Sequence, residues 1–184
     1  MSKVLIVIDM QNDFVTGGLG SEEARGIIPQ VVDKIKEYKA QNSTVVFTRD
    51  THNDNYLDTQ EGKFLPVKHC IEGTKGWEIV DEIKVCMEED SIVINKPTFG
   101  SIELANKIRQ ILSKEDIFNI EETQIELIGV CTDICVVSNA LILKAFLPEV
   151  ELRVDASCCA GVTQEKHKSA LETLRSCQVS IIND

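Results

Sequence analysis

Short apolar runs alternate with amphipathic stretches along the whole chain. Residues 3–9 read Lys-Val-Leu-Ile-Val-Ile-Asp, β-branched and almost continuously apolar, the pattern of a strand buried on both faces. Residues 44–48, 91–94, 124–130, 151–154 and 179–182 are five further strand candidates. Between them, Ile27, Ile28, Val31, Val32 and Ile35 recur at helical spacing, with Pro29 tolerated in a first turn. Residues 77–83 predict a short helix, and Ile102, Ala105, Ile108 and Leu112 mark another. Residues 136–146 predict a helix ended by Pro148, and residues 163–177 one capped near Thr163. Strands alternating with helices predict a three-layer α/β/α fold, Rossmann-like, around a mostly parallel six-stranded sheet. No repeat, linker or low-complexity tract interrupts the pattern, so residues 1–184 are expected to form a single domain. Two segments lack a period. Residues 50–76 are unusually long for a connection, which often marks function, and residues 114–123 read as a solvated loop with two acidic pairs.

Composition narrows the partners. Of 184 residues, 43% are hydrophobic, enough for a proper core, and 30 acidic against 19 basic residues give a net charge of −11. Such a surface repels phosphate backbones and anionic lipid, so neither nucleic acid nor a membrane is an expected partner. The longest early apolar run, Val4 to Ile8, is far too short to span a bilayer, and no secretory pattern precedes it. A cytoplasmic location is expected. Seven cysteines without a C-x-x-C pair read mostly as small buried hydrophobes, Cys86 and Cys177 among them, with room for one catalytic thiol.

In an open parallel sheet the ligand crevice lies beyond the carboxyl ends of the strands. There the sequence places Asp9 after strand one, then Arg49, Asp50 and His52 after strand two. Asn95 and Lys96 follow strand three, Thr132, Asp133 and Cys135 strand four, and Asp155 strand five. An acid, a lysine and a cysteine converging from three strand ends suggest a nucleophilic site. Cys135 would sit at a helix start near Lys96, both favouring thiolate, with Asp9 placed to take and return a proton. A phosphate loop is missing, and Gly17, Gly18 and Gly20 stand too far past strand one for a dinucleotide fingerprint. Asp50 and His52 are two apart, so in an extended segment both can reach one ion, and His69 could fold back to join them. One carboxylate and two imidazoles suit Zn, Mn or Fe.

Several stretches together resemble the isochorismatase-like cysteine hydrolases, and within them the nicotinamidase/pyrazinamidase branch. They are Ile8-Asp9-Met10-Gln11-Asn12-Asp13-Phe14, Thr48-Arg49-Asp50-Thr51-His52, Pro66 to Thr74, Lys96 with Phe99, and Gly129-Val130-Cys131-Thr132-Asp133-Ile134-Cys135-Val136. The resemblance implies a triad of Asp9, Lys96 and Cys135. It also implies a cis peptide before Cys131, with the backbone N–H groups of Cys131 and Cys135 in one oxyanion hole. A metal on Asp50, His52 and His69, with Glu61 as the nearest match to a fourth ligand, would hold the ring nitrogen of nicotinamide. Phe14, Phe99 and Leu65 would wall the ring; Leu65 stands where relatives often carry Trp. The implied reaction is hydrolysis of nicotinamide to nicotinate and ammonia through a cysteine thioester, in NAD salvage, with pyrazinamide also accepted. Zinc is the expected metal, and a homo-oligomer the expected assembly. Another amidase or isochorismatase-like hydrolase of the same fold is the alternative within enzymes, and a catalytically idle binding module the alternative outside them. Trp77 is expected to pack, Cys70 to face away from the ligands, and His167, in a Lys- and Glu-rich helix, to be solvated.

Overall fold

The computed structural model describes residues 2–114 and 123–184. In chain order the elements are β1 (Ser2–Ile8), α1 (Asn12–Val15), α2 (Glu22–Gly26), α3 (Ile28–Ala40) and β2 (Thr44–Asp50). Next come a 3₁₀ turn at Tyr56–Asp58, α4 (Gln60–Phe64), α5 (Asp81–Lys84), β3 (Ile92–Lys96) and α6 (Ile102–Lys114). The chain continues with β4 (Thr123–Val130), a π turn at Thr132–Val136, α7 (Val137–Phe146), β5 (Glu151–Ala160), α8 (Gln164–Ser176) and β6 (Ser180–Ile182). The six strands form one sheet in the order β3-β2-β1-β4-β5-β6, and every neighbouring pair is parallel. The acidic loop expected at 114–123 falls almost wholly outside the described residues.

Both faces of the sheet are covered, which is why β1 and β4 read as unbroken apolar runs. One face packs Val4, Ile6, Ile125 and Leu127 against Leu104, Ile108, Leu143 and Leu171 of α6, α7 and α8. The other packs Leu5, Val7 and Ile128 against Val31 and Ile35 of α3 and Ile83 of α5. At the end of β4, Gly129 has φ +115°, and a Cβ there would lie 2.1 Å from the carbonyl oxygen of Ile8. Only glycine lets β4 approach β1 this closely beside the position of Asp9. Thr163 caps α8 as expected, its hydroxyl accepting from the Lys166 N–H.

Three expectations are corrected. The helix expected at 77–83 begins only at Asp81, because the backbone just before it bonds to the segment that follows β1. Ile79 bridges Gln11, the Val80 N–H donates to Met10 O, and Asn12 Nδ2 donates to Glu78 O. β5 runs six residues beyond Val154, so Asp155 lies inside a strand rather than after it. A carboxylate is tolerated there because Lys34 Nζ of α3 sits 2.8 Å from Asp155 Oδ2 and 3.0 Å from Glu126 Oε1. Cys86 and Cys177 are half-buried rather than core.

Candidate functional site

The carboxyl end of the sheet gathers residues from four strands. Asp9 follows β1 in the left-handed backbone region, at φ +48°, a conformation that costs a non-glycine residue about 1 kcal/mol or more. Its carboxylate is fully buried and fixed by β2: Thr48 Oγ1 donates to Asp9 Oδ1 at 2.6 Å. Lys96, the last residue of β3, is also fully buried. Its Nζ stands 2.6 Å from Asp9 Oδ2, 3.5 Å from Cys135 Sγ and 3.2 Å from Asp50 Oδ1. Cys135 belongs to the π turn, in which the Val136 N–H reaches back five residues to Cys131 O. The peptide between Val130 and Cys131 is cis. Asp9, Lys96 and Cys135, far apart in sequence, thus meet within hydrogen-bonding range.

A second cluster shares Asp50. His52 Nε2 lies 2.9 Å and His69 Nε2 3.5 Å from Asp50 Oδ2, and Glu61 Oε1 is 3.7 Å from each imidazole nitrogen. One ligand atom from each of the four lies within 4.8 Å of every other. The long irregular segment folds back to make this possible. The His52 N–H donates to Cys70 O and the Glu72 N–H to His52 O, while Asp13 Oδ2 accepts from the Cys70 N–H at 2.7 Å. Glu61 arrives on α4, which Thr59 caps through the Gly62 N–H. His69 Nδ1 faces the Val67 carbonyl at 2.9 Å, which can only accept, so Nδ1 carries a proton and Nε2 is the nitrogen that points into the cluster. Two such imidazoles with two carboxylates, nearly all buried, fit a divalent metal better than a solvated loop. Cys70 takes φ +47° rather than an extended form, and is buried.

Both clusters open into one cavity of about 460 Å³. Phe14, Phe99 and Leu65 line it together with Cys131, Cys135, Asp50, Glu61 and His69. Phe14 packs on the His69 ring with centroids 5.4 Å apart. Trp77 packs as expected, its ring under the Arg49 guanidinium at 3.6 Å and its Nε1 donating to Thr51 Oγ1.

Charges inside this site are strongly interdependent. Burial pushes the Asp9 carboxyl above its ordinary value, with the Lys96 ammonium pulling the other way. Burial also raises Asp50, but hydrogen bonds from His52 and His69 and the Lys96 charge outweigh it and leave Asp50 well below the usual carboxylate range. Burial alone would discharge Lys96; Asp9, Cys135 and Asp50 reverse this and hold it protonated. Burial, then the Asp9 charge, lift the Cys135 thiol well above its ordinary value in spite of Lys96. The pull of Lys96 and the helix start toward thiolate is thus opposed by burial and by the Asp9 and Asp50 charges, which favour the thiol and call for a base beside it. Burial and then Asp133 push the Cys131 thiol up to about 12, which disfavours its thiolate beside the site.

Sequence reasoning missed several positioning groups. Gln11 clamps the backbone of Asp50: its Nε2 donates to Asp50 O and Trp77 O, and its Oε1 accepts from the Asp50 N–H. Asn139 Nδ2 donates to Cys135 O and Phe99 O, while its Oδ1 accepts from the Ser101 N–H. Both are fully buried amides, and a lone amide in a helical or strand-end stretch carries no periodic signal. His167 is not a solvated surface residue; it is half-buried, with Nδ1 2.7 Å from Thr132 Oγ1.

Residues 3–183 match the isochorismatase domain. The chain is 26% identical to the nicotinamidase of Schizosaccharomyces pombe, over 98% of this chain and 92% of that one. It superposes on the crystal structure of the nicotinamidase PncA from Bacillus subtilis with a TM-score of 0.80 and 27% identity, covering 98% and 99% of the two chains. The pyrazinamidase of Pyrococcus horikoshii, solved in complex with zinc, matches over the full length of both chains with a TM-score of 0.81 and 27% identity.

Proposed function

The chain belongs to the isochorismatase family and is a nicotinamidase-like amidohydrolase, and we propose that Cys135, Asp9 and Lys96 carry out its chemistry on nicotinamide. The observation that carries this reading is the buried contact of Lys96 Nζ with both Asp9 Oδ2 and Cys135 Sγ, behind a cavity that Cys135 lines together with Phe14, Phe99 and Leu65.

Asp9, made more basic by burial, takes the Cys135 proton as sulfur attacks the amide carbon. The backbone N–H groups of Cys131 and Cys135 receive the negative charge on the carbonyl oxygen, a stabilisation of roughly 3 kcal/mol per donor. The C–N bond breaks, and Asp9 passes its proton to the departing ammonia. Water then enters; Asp9 takes its proton as oxygen attacks the thioester carbon. The C–S bond breaks, and the proton returns to sulfur. Lys96 keeps its charge throughout and balances the negative charge that moves between Asp9 and Cys135.

Asp50, His52, Glu61 and His69 would hold a divalent metal, read as zinc from the donor set and the zinc-bound relative. When bound, that ion supplies a Lewis-acid contact for a ring nitrogen and so orients the ring. Phe14 and Phe99 contribute apolar walls for a flat heteroaromatic amide, pyrazinamide included. One family match across 3–183 and one continuous sheet support a single catalytic domain over 1–184. A cytoplasmic role in NAD salvage as a homo-oligomer completes the reading; no helix among the described residues is long and apolar enough to cross a membrane.

The test is ammonia release from nicotinamide by purified protein, with Cys135→Ala beside it. Release that vanishes in the variant is expected. Full release from the variant would remove Cys135 from the mechanism. No release from a protein whose Cys135 still reacts with an electrophile would move the substrate to another amide.

A further inference from the structure

The turn that carries Cys135 is held from outside the sheet by the loop between β5 and α8. Thr132 opens the turn and is fully buried. His167, in the first turns of α8, places Nδ1 2.7 Å from Thr132 Oγ1. The next residue of the turn is held by the loop before α8: Asp133 Oδ1 accepts from the Val162 N–H at 2.9 Å. Between these two anchors, Gly161 packs its backbone directly on the turn. A Cβ there would lie 2.8 Å from Asp133 Oδ1 and 2.9 Å from His167 Cβ. On the opposite side, Asn139 holds the Cys135 carbonyl.

This anchoring matters because the turn is a single π turn. Its wide i→i+5 hydrogen bond is a rare geometry, frequent at functional sites. A shift of the turn moves the Cys135 sulfur and its N–H together, and misplacement of reacting groups by about 1 Å can cost ~10²-fold in rate.

We propose that His167 is a positioning residue for the nucleophile, fixing the Cys135 turn through the Thr132 hydroxyl. The inference rests on the reading of Cys135 as nucleophile but does not depend on nicotinamide being the substrate. Burial lowers the proton affinity of His167, against the pull of Asp184 and Asp133, and a neutral ring keeps Nδ1 available to pair with a hydroxyl.

The test compares His167→Asn with His167→Leu. Asparagine puts a polar atom where Nδ1 stands; leucine has nearly the same shape and no hydrogen bond. Four quantities are read: kcat and KM on nicotinamide, Tm, and the rate at which iodoacetamide alkylates Cys135, followed on its own peptide by mass spectrometry. His167→Leu is expected to lower kcat by about tenfold while KM changes by less than about twofold. His167→Asn is expected to restore most of kcat. Thr132→Val should reproduce the leucine effect, and the double variant should be no slower than either single one. The Cys135 alkylation rate should follow the same order, which keeps the test valid if nicotinamide is not turned over. Wild-type kcat and alkylation in His167→Leu would overturn the proposal. So would equal losses in the leucine and asparagine variants, or additive losses in the double variant. If His167→Leu fails to fold, Thr132→Val against Thr132→Ser carries the same comparison, and equal activity of those two would overturn it.

Discussion

Lys96 joins the two halves of the site, because its ammonium touches Asp50 Oδ1 at 3.2 Å while Asp50 Oδ2 faces His52 and His69. One carboxylate thus serves the nucleophile's cation with one oxygen and the metal cluster with the other. The charge of Lys96 is what allows Asp9, Asp50 and a sulfur anion to share a water-poor space.

Replacing Lys96 with Met should separate these roles. Removing the ammonium leaves Asp9 and Asp50 less compensated, which weakens proton transfer from sulfur but leaves the metal ligands as negative as before. Turnover is expected to fall by at least ~10²-fold while bound metal, measured by elemental analysis, stays stoichiometric. Parallel loss of metal and activity would mean that Lys96 supports the cluster rather than the reaction.

Chelation should have the reverse signature. With metal removed, nicotinamide turnover is expected to drop, while Cys135 still reacts with iodoacetamide. Unchanged turnover would take Asp50, His52 and His69 out of the mechanism. Glu61→Gln should keep the fold, since Glu61 is on a short surface helix, yet lose metal to a competing chelator at least ~10-fold more readily. Equal retention in the wild type and the variant would strike Glu61 from the ligand set.

The ion cluster between α3 and strands β4 and β5 predicts a stability effect with a defined pH dependence. Lys34 is raised above its ordinary value: hydrogen bonds to Asp155 and Glu126 outweigh burial, which acts in the other direction. Its stabilising effect is therefore complete below its unfolded value and is lost as pH rises through the folded one. Asp155 is lowered, Lys34, Ser157 and Asn183 together outweighing burial, so its contribution is present above its unfolded value and lost as pH falls through the folded one. Lys34→Met strands Glu126 and Asp155 as buried anions, and should cost about 3 kcal/mol near pH 7 in urea unfolding. The deficit should shrink on acidification toward about pH 4, as the stranded Asp155 carboxyl takes up a proton. A deficit that is constant with pH would mean that packing, not charge, is what Lys34 supplies.

Gly129→Ala tests how the nucleophile strand is seated. A methyl group there would meet Ile8 O at 2.1 Å, and the φ of +115° excludes an easy backbone adjustment. A loss of about 2 kcal/mol or more, read as a lower Tm, is expected. A wild-type Tm would show that β1 and β4 can separate without cost.

The layered fold was legible because burial is written locally. A continuous β-branched run such as Val4 to Ile8 must be covered on both faces, and β1 is. Asp9, Asp50, Lys96 and Cys135 stood out for a related reason: each ends or follows an apolar run at the carboxyl end of the sheet, where ligands bind. What escaped depends on register between distant segments. Gln11 and Asp50 are 39 residues apart, and Asn139 reaches Phe99 from 40 residues away. No period in either stretch signals such a clamp.

Charged positions show the same division. Asp155 read as a strand end because a carboxylate breaks an apolar run, yet Lys34 of α3 lets the strand continue through it. His167 read as solvated because its own helix is rich in Lys and Glu, but one face of that helix meets the Cys135 turn. The cysteine's proton affinity followed the same rule: the sequence placed Lys96 and a helix start beside it, and only the folded chain supplied the depth of burial and the two anions that outweigh them. Hydrophobic pattern is a property of neighbours along the chain, so the sequence by itself determined the strands, their alternation with helices and the residues at their ends. Hydrogen bonds and charge compensation are properties of neighbours in space, so only the tertiary structure decided which of those residues are held, paired and kept neutral.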